Sequence, residues 1–297
     1  MHLTRARRAP MPTHTLRTTT LVTRMALLAL ASCTATAPPA DDRLGEPSQD
    51  APSAMILDAF FGLDDALPLA ANALCLGGEG MDGMPVTLSR RVQPERPEAD
   101  SFLVITRGGQ RLTPRCATLR PAIDPTERHT VLLIGELGDE PDDPPVRVEI
   151  VGSVPLLGGG DAMGLSTDTV TPLTDGPSLR IAYVYAPEAL PESTCPRPRT
   201  TQIIQLTWAG GVRAPTGEEL GEPARKQMSV TLEDGAVVTP IALADLGDND
   251  NYTHLCLEEA YPARSVTVKA GVAVDPRGDA NPETTIPVTN DPEASPP

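Results

Sequence analysis

The 297-residue sequence is short of lysine, aromatic rings and uninterrupted apolar stretches. Lys226 and Lys269 are its two lysines, and 24 basic residues face 40 acids for a formal charge of −16. Such a chain repels a phosphate backbone, so nucleic acid is not an expected partner. The acidic balance also disfavours electrostatic attachment to anionic lipid. No apolar run reaches the ~20 residues of a membrane-spanning helix. Catalytic signatures are missing as well. Gly158-Gly159-Gly160-Asp161 lacks the Lys-Ser/Thr of a phosphate loop, and Gly164-Leu165-Ser166 lacks the downstream Gly of a nucleophile elbow. Glu258 and Glu259 are neighbours and would face opposite sides of a strand. No catalytic centre and no cofactor are expected.

Proline is plentiful, at 33 residues, while Phe, Tyr and Trp together make up 3%. Proline interrupts most windows long enough to show a 3.6-residue period. Runs of Val, Ile, Leu and Thr recur between the prolines, as in an all-β chain of short strands joined by turns. Arg107-Gly108-Gly109 and Glu233-Asp234-Gly235 read as hairpin turns. Residues 242–246 read as one short helical turn. Trp208 reads as a core or half-buried strand residue.

The start of the chain carries a different signal. Arg5, Arg7, Arg8, Arg17 and Arg24 precede the first acid, Asp41, and Met25-Ala26-Leu27-Leu28-Ala29-Leu30 forms a short apolar core. This is the pattern of an export signal rather than of a membrane span. Its end, Leu30-Ala31-Ser32-Cys33, resembles the lipobox of bacterial lipoproteins. The resemblance implies cleavage before Cys33, acylation of that thiol and attachment to a membrane through the lipid. Thr34, standing where an Asp is absent, implies the outer membrane. Taking the five leader arginines from the 24 basic residues leaves 19 against 40 acids, a formal balance of −21 for the mature chain. Cys75, Cys116, Cys195 and Cys256 then remain, an even number in an exported protein, and two disulfides are expected. No Cys-x-x-Cys and no paired His supports the rival, metal ligation by these cysteines.

The mature chain repeats itself. Asp65-Ala66-Leu67-Pro68 before Cys75 parallels Glu188-Ala189-Leu190-Pro191 before Cys195. Residues 104–114 parallel residues 230–240, with Gly109 and Gly235, and Pro114 and Pro240, at one spacing of 126. Asp124 and Asp250 keep that spacing, and His129 and His254 miss it by one. Further on, residues 131–135 match residues 266–271 loosely. Two tandem modules follow, each with its own core, and the simplest pairing is Cys75–Cys116 with Cys195–Cys256. The expected layout is a signal over residues 1–32, a disordered tether over 33–53, a β-sandwich over 54–155, a flexible Gly/Thr/Asp-rich linker over 156–177, a second β-sandwich over 178–290, and a loose tail over 291–297.

The run Phe102-Leu103-Val104-Ile105-Thr106-Arg107-Gly108-Gly109, its counterpart, and Val266-Thr267-Val268-Lys269-Ala270-Gly271-Val272-Ala273-Val274-Asp275 resemble bacterial immunoglobulin-like surface domains. That resemblance implies two tandem immunoglobulin-like antiparallel β-sandwiches, although the Cys…Trp…Cys spacing of antibody-type domains is absent. Asp245, Asp248, Asn249, Asp250 and Asn251 cluster in one stretch, and Asp275, Asp279 and Asn281 in another. Asp248, Asp250 and Asp275 are therefore the calcium candidates, set against the plainer reading of acids that populate turns. His129 and His254 read as a shared structural feature of the two copies. The expected protein is a lipid-anchored, non-catalytic binding or structural protein of the cell envelope, with an envelope protein or glycan as partner. The alternative is a calcium-dependent envelope hydrolase.

Overall fold

The computed structural model describes residues 53–93, 97–247 and 250–294. The signal, the acylation residue Cys33, nearly all of the tether and the calcium candidate Asp248 lie outside the described residues. Among those residues the chain is all-β, with one four-residue α-helix, Glu222–Arg225. Strands form two sandwich-like units.

In the first unit, β1 (Ile56–Phe60), β2 (Asp82–Leu88), β5 (Cys116–Thr118), β6 (Thr130–Gly135) and β9 (Val170–Thr171) make a sheet in the order β5-β6-β2-β1-β9. It packs on a sheet of β3 (Phe102–Thr106), β4 (Arg111–Leu112), β7 (Pro145–Ile150) and β8 (Ser166–Thr167), ordered β4-β3-β7-β8. In the second unit, β10 (Leu179–Tyr185), β11 (Gln202–Trp208), β14 (Ala242–Ala244), β15 (Tyr252–Leu257) and β18 (Thr289–Asn290) are ordered β14-β15-β11-β10-β18. Its partner sheet, β13-β12-β16-β17, uses β12 (Met228–Leu232), β13 (Val237–Val238), β16 (Ala263–Val268) and β17 (Thr284–Pro287). Adding nine to every strand number of the first unit gives the second. β9 runs parallel to β1, as β18 does to β10, and the other paired strands are antiparallel. The register even slips at matching places, between Ile56 and Asp58 in β1 and between Leu179 and Ile181 in β10.

Each core lies between its two sheets. Phe61, Met84, Val86, Leu133, Phe102, Val104 and Val148 fill the first; Ile204, Leu206, Trp208, Met228, Val230, Leu255 and Val266 fill the second. Trp208 is fully buried, as a core strand residue. Strand β11 has no exposed position, and neither has β15. An antiparallel sheet with one wet face alternates apolar and polar residues, so burial on both faces means that something covers the outer side.

The bridges Cys75–Cys116 and Cys195–Cys256 are formed, with Cα–Cα distances of 5.9 and 5.6 Å. Both tie the loop after the first strand of a unit to the same corner of the five-stranded sheet. Cys116 sits on β5 opposite Ile134, while Cys256 sits on β15 opposite Ala242, so the attachment has moved across one strand pair.

Four expectations are corrected. Residues 156–177 are not a flexible linker: they carry β8 and β9, and Leu156, Ala162 and Leu173 enter the first core. The tail is not loose at its start, because Asp291 is buried and ion-paired. Residues 242–244 form strand β14 rather than a helical turn. His129 and His254 are not equivalent. Register places Pro85 opposite Leu132 where the second copy has Gln205 opposite His254, so His129 corresponds to Asn251. The spacing of 126 holds through β3 and β4, where the Val104–Leu112 pair becomes Val230–Val238, and then shortens along the chain. Residues 131–135 therefore correspond to β15, not to residues 266–271.

Candidate functional site at the seam between the sandwiches

The outer faces of the two five-stranded sheets cover one another. The Tyr252 hydroxyl accepts the His129 backbone N–H at 3.1 Å, the Asn251 side chain donates to Thr130 Oγ1 at 3.0 Å, and the His129 and Tyr183 rings lie 5.6 Å apart. Phe60 is wedged here between two glycines. A Cβ at Gly210 would stand 2.5 Å from its Cδ1, and one at Gly62 would stand 2.7 Å from its Cε1, so both positions need glycine for steric reasons.

Ion pairs pin the seam at one side. Arg180 on β10 meets Asp58 on β1 at 3.2 Å. Arg91 reaches Asp291 at 3.1 Å, and Arg90 reaches Glu293 at 3.0 Å, all four nearly solvent-free. Tyr185 donates to Asp291 at 2.7 Å. Burial pushes the Asp58 carboxyl up, and the Arg180 charge pulls it back only in part. Burial also holds His129 down to about 4, so its ring is neutral at pH 7.

Beside these pairs the seam opens into a cavity of about 630 Å³. Phe60, Leu67, Ala71, Pro85, Leu119 and Leu132 form its apolar wall. Thr130, Asp250 and Asn251 add polar groups, and Arg120, Pro121 and Pro276 stand exposed at its rim. Its size lies in the ~300–1,000 Å³ range of small-molecule pockets, and an apolar wall with a few polar groups is their usual chemistry.

Also at the seam, Glu127, Asp245 and His254 bring one ligand atom each to within 4.8 Å of one another. Glu127 comes from the loop before β6, Asp245 from the residue after β14, and His254 from β15. Asp245 holds a φ of +64°, a left-handed conformation that Asp tolerates better than most residues. His254 is 1% exposed, with Ser193 Oγ 3.1 Å from Nδ1 and Gln205 Nε2 3.1 Å from Nε2. Gln205 also donates to Thr126 Oγ1 at 3.0 Å, across the seam. Burial, joined by the charges of Asp250, Asp245 and Asp124, pushes Glu127 up to about 10. Burial pushes His254 down to about 4. At pH 7 the pocket thus holds a neutral imidazole and a protonated carboxyl.

No family model matches the chain, and no curated protein is significantly similar to it.

Of the calcium candidates, Asp250 lies at the seam and Asp275 outside it, and both serve the backbone. Asp275 Oδ1 accepts the backbone N–H groups of Arg277, Gly278 and Asp279 at 2.8–2.9 Å, which is the work of a turn anchor. Asp250 Oδ1 likewise accepts the Tyr252 N–H at 2.7 Å. The three-acid group Asp64, Asp65 and Asp82 also serves the backbone: Asp82 takes N–H groups from Asp65 and Leu137, and burial pushes it up to about 6. Sequence reasoning listed Asp245 and His254 separately and missed Glu127, Gln205 and Ser193. No spacing rule finds them, because Glu127 and Asp245 sit on different copies and meet only after both have folded.

Proposed function

We propose that this chain is a lipid-anchored, non-catalytic binding protein of the cell envelope, tethered through Cys33 at the outer membrane, that takes an apolar small molecule into the cavity between its two sandwiches. The cavity of about 630 Å³ carries the reading. Its wall is apolar, its mouth is ringed by exposed residues, and it sits where the two sandwiches meet, a common place for ligand pockets. The strand order β5-β6-β2-β1 against β4-β3-β7-β8 supports an immunoglobulin-like assignment for each unit. Such sandwiches display and bind more often than they catalyse, although fold alone does not decide. A formal charge of −16 argues against nucleic acid as partner.

The pocket is tested by titrating purified protein with anilinonaphthalene sulfonate and following its fluorescence, in parent and in Leu132→Trp. Leu132 lines the cavity, so the indole should fill it and abolish the signal while the melting transition persists. A parent that does not bind, or a variant that binds equally, overturns the reading. The anchor is tested by metabolic fatty-acid labelling of parent and Cys33→Ala; an unlabelled parent removes the envelope assignment.

A further inference from the structure

We propose that Glu127, Asp245 and His254 bind a divalent transition-metal ion of the zinc class, which clamps the first sandwich to the second. The site is built from both units: Glu127 belongs to the first, Asp245 and His254 to the second. One imidazole nitrogen with two carboxylates is a donor set suited to zinc and its neighbours rather than to calcium, which takes six to eight oxygens.

Geometry supplies an independent argument. His254 Nε2 and Asp245 Oδ2 lie 3.4 Å apart. That is long for a hydrogen bond, and it matches the edge, about 3.3–3.4 Å, of a tetrahedron with ~2.0–2.1 Å bonds to zinc. The ring is already oriented as a ligand. Ser193 Oγ lies 3.1 Å from Nδ1 and can accept the Nδ1–H of the tautomer whose Nε2 lone pair is open to a metal. A metal-bound histidine almost always donates its other ring N–H in this way. Gln205 Nε2 now donates into that lone pair. Turning its amide over exchanges the donor for an oxygen and offers a fourth ligand. The charges also balance: a dication on two carboxylates and a neutral imidazole is neutral overall in a buried seam.

The experiment is isothermal titration of the purified, chelator-stripped full chain with zinc in two buffers of different ionisation enthalpy, with Glu127→Gln and Ser193→Ala alongside. One ion should bind per chain with release of about one proton. Ser193→Ala removes only the orienting hydrogen bond and should weaken binding ~10–100-fold. Glu127→Gln should weaken binding at least tenfold and abolish the proton release. It keeps the shape of the side chain, so folding is not at stake, and a melt of each variant checks this. No binding at ~1 mM zinc together with no rise in the melting temperature overturns the proposal. So does zinc that binds Glu127→Gln with the parent's affinity and proton count, since the ion then sits elsewhere. Neither outcome touches the apolar cavity, whose own test is separate.

Discussion

Replacing Glu127 by Gln should stabilise the metal-free protein, and by an amount that grows with pH. Glu127 is 3% exposed, and its carboxyl is pushed from 4.5 up to about 10, first by burial and then by Asp250, Asp245 and Asp124. Folding at neutral pH therefore takes up a proton that the unfolded chain has already lost. The native state binds more protons than the unfolded one between those two values, so stability falls as pH rises through that window. The slope is about 1.4 kcal/mol per pH unit, and the 2.5 units between 4.5 and pH 7 cost about 3 kcal/mol. This figure needs only a native value above 7. The window from pH 7 to 9 isolates the effect. His129 and His254, both held near 4, are neutral there in the folded state and mostly neutral in the unfolded one. Urea unfolding in chelator should show the parent losing about 3 kcal/mol from pH 7 to 9 and Glu127→Gln staying nearly flat. Equal slopes for the two proteins, or a variant less stable than the parent at pH 8, would refute the reasoning.

Other consequences are open to the same assay. Each disulfide closes a loop, with separations of 41 and 61 residues, and loop-closure entropy values them at about 3.9 and 4.3 kcal/mol. Cys75→Ala/Cys116→Ala and Cys195→Ala/Cys256→Ala should thus lose similar stability in urea; a several-fold difference would show that native packing, not loop length, decides. Gly210→Ala should cost ~1–3 kcal/mol, because its methyl meets the Phe60 ring at 2.5 Å. Adding Phe60→Leu should cost less in that background than in the parent, and equal costs would mean the two residues do not press on one another.

The sequence was most readable where local rules act. Gly109 and Gly235 both adopt positive φ in the turns that pair β3 with β4 and β12 with β13, so a 126-residue spacing revealed the duplication there. Short β-rich runs separated by proline conveyed the all-β class, and keeping one bridge within each copy anticipated both disulfides. What failed was whatever depended on the second half of each copy, where the spacing drifts. Gly158-Gly159-Gly160 looked like the head of a linker because the stretch is rich in Gly, Thr and Asp, yet these glycines, all at positive φ, form the turn by which the chain returns to add β8 and β9. The seam was illegible for another reason. Thr87, Gln205 and His254 are polar strand residues, which normally mark a wet face, and here they mark a face covered by the other copy.

Two copies joined in one polypeptide escape a rule that binds a two-fold dimer of identical subunits, where every change on the shared surface occurs twice. Pro85 and Leu132 occupy the places that Gln205 and His254 occupy in the other copy. One chain has thus kept a greasy hollow and an acid–imidazole nest within one pseudo-symmetric contact, a division of labour unavailable to an identical pair.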